Sequence, residues 1–266
     1  ADGLKGSALF YDHQILLPER LVMENIVSAR EAGATVLNYH RVEKIEEKNS
    51  VVSVSARNVL TGERLRFRSK VLINAAGPWV DGVRAMGGID QKKIIYPTKG
   101  IHLVLPKLSD QALFVTSRDG RMFFIIPLSA YSLIGTTDTK YDGDLDEVHA
   151  DRDDVNYLLS ESSRILPRLN LTKEAILYTY AGIRPLAFSG ARESRISRKH
   201  RVIREGRTGR IITIAGGKYT TYRNMAKDTV DAACKALGVR TFCSSDKKPF
   251  PGGLPLSYDA YMREAV

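Results

Sequence analysis

Val71-Leu72-Ile73-Asn74-Ala75-Ala76-Gly77-Pro78-Trp79 is the stretch on which the fold turns. An apolar run that does not alternate fits a central parallel strand, because a strand covered on both faces has no solvent side to keep polar. Its close in Ala-Ala-Gly lets backbone approach a flat cofactor or a pyrophosphate, as strand ends do in open α/β sheets. A tight packing corner is the plain alternative. One other segment reads the same way: Arg210 to Ala215 opens into Gly216-Gly217-Lys218-Tyr219-Thr220-Thr221. A helical stripe of Met225, Ala226, Val230, Ala233 and Leu237 follows, predicting a helix over Tyr222 to Leu237. Strand, glycine pair and helix start together form a cradle of backbone N–H groups for an anion or cofactor, with simple capping as the plain alternative. It is no P-loop, since the upstream glycine would fall at Ile212 and Tyr219 stands where Ser or Thr is required.

Working outward, Pro18 to Ala34 reads as a helix with Leu21, Val22, Ile26, Val27 and Ala29 on one stripe, ended by Gly33. Ala34 to Asn38 reads as a short buried strand. Residues 51–70 alternate around Thr61-Gly62 and predict a hairpin. Between the two parallel-type segments lie β runs at 101–105, 113–116, 122–127, 131–136 and 176–182, with a helix at about 153–166. The expectation is an α/β layer interrupted by an antiparallel sheet.

The chain has 266 residues, 43% hydrophobic and 26% charged, with a formal net charge of +10. That composition describes a folded globular protein and excludes a disordered or fibrous one. No apolar run reaches membrane-spanning length, and Ala1-Asp2-Gly3-Leu4-Lys5 is no signal peptide, so an intracellular setting is expected. Cys234 and Cys243 lack metal or redox spacing and read as free thiols. The five histidines are scattered, so no metal site is expected. The positive balance suits an anionic substrate, an anionic membrane or nucleic acid. The dense run from Arg192 to Arg210 reads as a solvated strand-loop-strand or an anion-capturing element, with nucleic acid ranked last. Arg184, in Gly182-Ile183-Arg184-Pro185, offers a fork for carboxylate or phosphate, against the plain reading of a surface arginine. His102 enters a strand, where a lone histidine is more often a packed residue than a general base.

No two glycines stand two positions apart, so the GxGxxG dinucleotide fingerprint is absent from these residues. Yet six stretches in order resemble the FAD-dependent glycerol-3-phosphate dehydrogenases: Asn74 to Trp79, Pro97 to Gly100, Leu133 to Asp138, Tyr180 to Leu186, Ile196 to Arg198 and Ala215 to Arg223. The segment from Cys243 to Gly253 resembles the anaerobic-type catalytic subunit. The resemblance implies an α/β (α+β overall) fold: a partial FAD-binding Rossmann-like layer with an inserted antiparallel-sheet substrate domain. It divides the chain into a partial FAD-binding domain with an N-terminal strand toward the substrate domain (1–95), the substrate domain (96–205), the return to the FAD-binding domain (206–240) and a tail (241–266).

It also implies oxidation of sn-glycerol 3-phosphate to dihydroxyacetone phosphate, with hydride passing to FAD and electrons to quinone or an electron-transfer subunit. His102 and Arg184 match catalytic positions, and Arg184, Arg198 and Lys218 match substrate-binding ones. Ala76, Gly77, Trp79, Gly216, Gly217, Lys218, Tyr219 and Thr220 match flavin-contacting stretches. Without GxGxxG, the expectation is a fragment that binds FAD weakly or not at all. A cytoplasmic location is expected, and the resemblance implies peripheral contact with the membrane's inner face. An amine or amino-acid oxidase of the same architecture, and a non-catalytic interaction module, are the alternatives.

Overall fold

The computed structural model describes residues 6–89, 92–188, 196–197, 199–253 and 263. Helix α1 (Pro18–Glu31) starts with proline in its first turn, where the missing N–H costs nothing. None of its residues is buried, and its Leu21, Val22 and Ile26 line an apolar groove shared with Tyr219 and Tyr222. A three-stranded antiparallel sheet follows: β1 (His40–Lys48), β2 (Val51–Asn58) and β3 (Arg64–Ser69). Then come β4 (Leu72–Asn74), a 3-10 turn at Gly77–Trp79 and helix α2 (Val80–Met86). The buried Asn74 side chain shapes this corner, donating to the Val80 carbonyl at 2.9 Å and accepting from the Ala76 N–H at 3.3 Å.

The inserted sheet comprises β5 (Ile95–Pro106), β6 (Leu113–Thr116), β7 (Met122–Leu128), β8 (Tyr131–Gly135) and β9 (Thr139–Lys140). Helix α3 (Arg152–Ile165) covers it, and β10 (Tyr178–Phe188) with β11 (Ile196–Ser197) completes it. All its pairings are antiparallel. Alternation along β5 sends Ile101, Leu103 and Leu105 into a core with Phe123, Ile125, Ile134 and the α3 residues Leu158 and Leu159. Helix α3 starts at a reciprocal cap in which Asp151 accepts from the Asp153 and Asp154 N–H groups and Asp154 accepts from Asp151. The buried Lys99 ammonium lies 2.6 Å from both carboxylates and pins that cap to β5.

The chain returns through β12 (Arg201–Glu205) and β13 (Ile211–Ala215) into helix α4 (Tyr222–Leu237). Strand β13 is buried throughout and runs parallel to β4, in register Ile212 with Ile73 and Thr213 with Asn74. Gly238 closes α4 in the left-handed conformation.

Two expectations are corrected. Residues 34–38 form no strand: Val36 and Leu37 are exposed, and no neighbouring strand among the described residues supplies the ladder that a short strand needs. Residues 6–17 likewise form no strand, so the described part of the N-terminus does not reach into the substrate sheet. In the tail, residues 241–253 carry one short 3-10 turn, and the Gly252 N–H donates to Glu24 of α1 at 2.9 Å.

Candidate functional site

The β5–β10 register sets Tyr180 opposite His102, Gly182 opposite Gly100 and Arg184 opposite Thr98, and β5–β8 pairing sets His102 opposite Gly135. Because Ile101 and Leu103 point into the core, these partners share the opposite face. Three glycines inside strands are costly unless something must approach the backbone closely. At two of them the visitor is visible. A Cβ on Gly100 would run into the Arg184 guanidinium and the Thr136 hydroxyl, and one on Gly135 into the His102 ring.

Arg184 therefore lies flat on the sheet and is held there. Its Nη2 donates to Thr136 Oγ1 at 2.8 Å and its Nη1 to the Thr137 carbonyl at 3.1 Å, with Asp138 Oδ1 at 3.4 Å. Fixing a planar fork in advance lowers the cost of receiving an anion. The His102 ring stacks on Tyr180, centroids 4.8 Å apart and planes 18° from parallel. Burial, then the Arg184 charge, pushes the imidazole down from 6.5 to about 4. His102 is thus neutral near pH 7.

That shift has a measurable consequence. Between about pH 4 and 6.5 the unfolded chain binds a proton at this position that the folded chain refuses, so stability falls as pH drops through the window. The loss is on the order of 3 kcal/mol if the whole shift is expressed. Urea unfolding at pH 7 and pH 4.5 is expected to show a smaller acid loss for His102→Gln than for the unsubstituted chain.

The second half of the site is the crevice at the ends of β4 and β13. Their parallel register ends at Thr213 with Asn74, so Ala75-Ala76-Gly77 and Ile214-Ala215-Gly216 leave from the same end of the pair. Gly77, Gly216 and Gly217 all have positive φ, at 57°, 75° and 93°. A Cβ on Gly216 would sit 2.8 Å from the Ala187 Cβ, so the end of β10 packs directly against the end of β13. A Cβ on Gly217 would strike Met225 of α4, whereas one on Gly77 would meet nothing within 4 Å. Two tightly packed glycines beside one with open space fit the close backbone approach that a flat cofactor such as FAD requires. Lys218, Tyr219 and Thr220 are exposed beside them. The Tyr219 hydroxyl donates to the Pro18 carbonyl at 2.5 Å. Burial raises both Tyr219 and Tyr180, and the charge of Glu19 at the start of α1 adds to each. Trp79 donates from its indole nitrogen to Asp146 at 2.9 Å, tying the crevice to the loop before α3.

The structure thus sets His102 and Arg184 on one sheet face, and puts Ala76, Gly77 and Trp79 after β4 and Gly216 and Gly217 after its parallel partner β13. Arg198 lies outside the described residues. Gly100, Thr136, Asp138, Tyr180 and Gly182 stand inside the quoted motifs without a role assigned from sequence; glycine at strand-interior positions was the usable signal. Arginines of the basic run are spent on backbone carbonyls: Arg201 on Phe188, Arg204 on Gly209, and Arg210 on Lys70 and Ala236. Cys234 and Cys243 form no disulfide. Among the described residues no group of three or more His, Cys, Asp or Glu could hold a metal ion, and no helix is long and apolar enough to cross a membrane.

A parallel strand pair with glycine-rich ends, set against an antiparallel sheet bearing an arginine and a histidine, is the arrangement of a flavin-dependent oxidoreductase. The chain belongs to the FAD-dependent oxidoreductase (DAO) family, which matches residues 1–223. Within it, the chain is 38% identical over 281 residues to a glycerol-3-phosphate dehydrogenase of Synechocystis, covering 98% of this chain and 51% of that protein. It is 38% identical over 264 residues to an aerobic glycerol-3-phosphate dehydrogenase of Staphylococcus haemolyticus, covering 95% and 47%. The solved glycerol-3-phosphate dehydrogenase of Bacillus halodurans, complexed with FAD, superposes with a TM-score of 0.80 at 34% identity, covering 92% of this chain and 48% of that one. A glycine oxidase of Geobacillus kaustophilus shares the fold at 21% identity and a TM-score of 0.58. The chain spans about half the length of the curated relatives it matches.

Proposed function

We propose that this chain carries the substrate-facing site of an FAD-dependent glycerol-3-phosphate dehydrogenase, which oxidises sn-glycerol 3-phosphate to dihydroxyacetone phosphate. The observation that carries the reading is the Arg184 guanidinium held flat beside a neutral His102 on one sheet face. A phosphate monoester bears close to two negative charges and is met best by guanidinium forks with further cations nearby. In this reading Arg184 receives the phosphate, with Arg198 and Lys218 contributing, and His102 takes the proton of the C2 hydroxyl. Ala76, Gly77, Trp79, Gly216, Gly217, Lys218, Tyr219 and Thr220 would contact FAD, which supplies the hydride acceptor when bound. Residues 1–95 and 206–240 serve the cofactor and 96–205 the substrate, with 241–266 as a tail.

The relatives at 34–38% identity are named for glycerol 3-phosphate, which favours it over the amino-acid oxidase alternative. A GxGxxG turn is what holds a pyrophosphate in folds of this class, and these 266 residues contain none. The proposal therefore includes a fragment that retains FAD weakly by itself. After mixing with FAD, gel filtration is expected to return a colourless protein, and a stoichiometric yellow one would refute this part. Quinone or an electron-transfer subunit would take the electrons. The protein would be cytoplasmic, touching the inner membrane face through its net charge of +10 and Lys247-Lys248-Pro249-Phe250. Calorimetric titration tests the substrate: glycerol 3-phosphate should bind and sarcosine should not. Binding of sarcosine without glycerol 3-phosphate would overturn the reading in favour of an amino-acid oxidase.

A further inference from the structure

Of the three glycines on the functional face, Gly182 differs from the other two. Gly100 and Gly135 have their side-chain space filled by Arg184 and His102, but a Cβ on Gly182 would meet no heavy atom within 4 Å. Its backbone is ordinary strand in the middle of β10, not the left-handed conformation that demands glycine. Neither backbone geometry nor packing within the chain therefore requires glycine here, although glycine weakens a strand interior. Its neighbours on the same face are Tyr180 two residues before and Arg184 two residues after, and the Arg184 guanidinium lies over the opposed Gly100. The result is an open notch, floored by Gly182, between the His102–Tyr180 stack and the fixed guanidinium. His102 and Gly100, over which the guanidinium lies, are two residues apart on β5, a spacing of about 7 Å along a strand. The notch thus offers a short skeleton one end at a guanidinium and the other at a neutral imidazole.

We propose that Gly182 is a specificity-determining residue: the carbon skeleton of the phosphate ester lies across it, and any side chain there closes the subsite. The inference rests on the proposed function and adds to it the position of the substrate's carbon atoms. It separates two ligands that share one anchor. Inorganic phosphate needs the cationic anchor at Arg184 and not the notch, whereas glycerol 3-phosphate needs both together.

The test is calorimetric titration of the 266-residue chain and its variants with glycerol 3-phosphate and with inorganic phosphate, alongside thermal unfolding. For Gly182→Val the melting point should hold or rise, since valine suits a strand better than glycine. Affinity for glycerol 3-phosphate should fall by roughly 100-fold or more, while inorganic phosphate should stay within about 3-fold. Gly182→Ala adds only the one carbon that meets nothing, so it keeps the test open if the valine variant folds poorly; a loss of about 10-fold is expected there. Gly100→Ala should behave differently and lose both ligands, because it displaces Arg184 itself. Glycerol 3-phosphate binding unchanged in both Gly182 variants, or a parallel loss of both ligands, overturns the inference and leaves the proposed function standing. If the unsubstituted chain binds inorganic phosphate only, or neither ligand, the proposed function falls and the inference falls with it.

Discussion

Replacing Arg184 with leucine is expected to weaken glycerol 3-phosphate binding by about 2–5 kcal/mol, the usual cost of removing one partner from a hydrogen-bonded charge pair. That corresponds to roughly 30-fold up to several thousand-fold in the dissociation constant, measured by calorimetry. Arg184→Lys should recover little of it. An ammonium cannot reproduce a planar group that meets Thr136 Oγ1 and the Thr137 carbonyl together while lying over Gly100. The leucine variant has a second, independent signature. Arg184 is the smaller of the two causes that depress His102, so removing its charge should raise the imidazole pKa while burial continues to hold it below the ordinary value.

The second large effect concerns stability. Arg84 of α2 is the hub of a buried ion cluster: Nε and Nη2 reach Glu205 of β12 at 2.8 to 3.1 Å, and Nη1 reaches Asp81 at 2.9 Å and the Lys92 carbonyl at 2.8 Å. The Arg84 and Glu205 side chains are 6% and 9% exposed, so neither charge can fall back on water. Arg84→Ala strands Glu205 and should cost about 3–5 kcal/mol in urea unfolding. Against a typical domain stability of about 5–15 kcal/mol, that loss takes a large share of the total. The cluster also bears on the site. The Asp81 carboxylate accepts from the N–H groups of Ile94 and Ile95 where β5 begins, so Arg84 ties the helix after Trp79 to both β12 and the substrate sheet.

Much of the frame was readable because local chemistry determined it. Strand β13 and helix α4 fall where an unbroken apolar run, a glycine pair and a 3.6-residue stripe put them. The antiparallel runs of β5 to β8 were legible from alternation and short turns. The apolar residues at 34–38 misled, since strand-like composition cannot make a strand without a pairing partner. The opposite error hid β1, whose His40–Lys48 is mostly charged and buries only Ile45. Strand β10 ran on to Phe188 past a glycine and a proline; Pro185 sits opposite Pro97 in the ladder, a pairing that no local rule anticipates. For the site, residue types pointed to Arg184 and His102. The stack of His102 on Tyr180, the seat of Arg184 on Gly100 and the open floor at Gly182 depend on cross-strand register, which the sequence does not carry.

The central claim is that the β5–β8–β10 face, with Arg184 at one end and His102 at the other, receives the phosphate ester. The most direct measurement is an NMR titration of the chain with glycerol 3-phosphate, following the ring signals of His13, His40, His102, His149 and His200. The account predicts that the His102 signals move and that its pKa rises from about 4, because a bound phosphate offsets the Arg184 charge. Unmoved His102 signals at saturating glycerol 3-phosphate would place the ligand elsewhere and contradict the account.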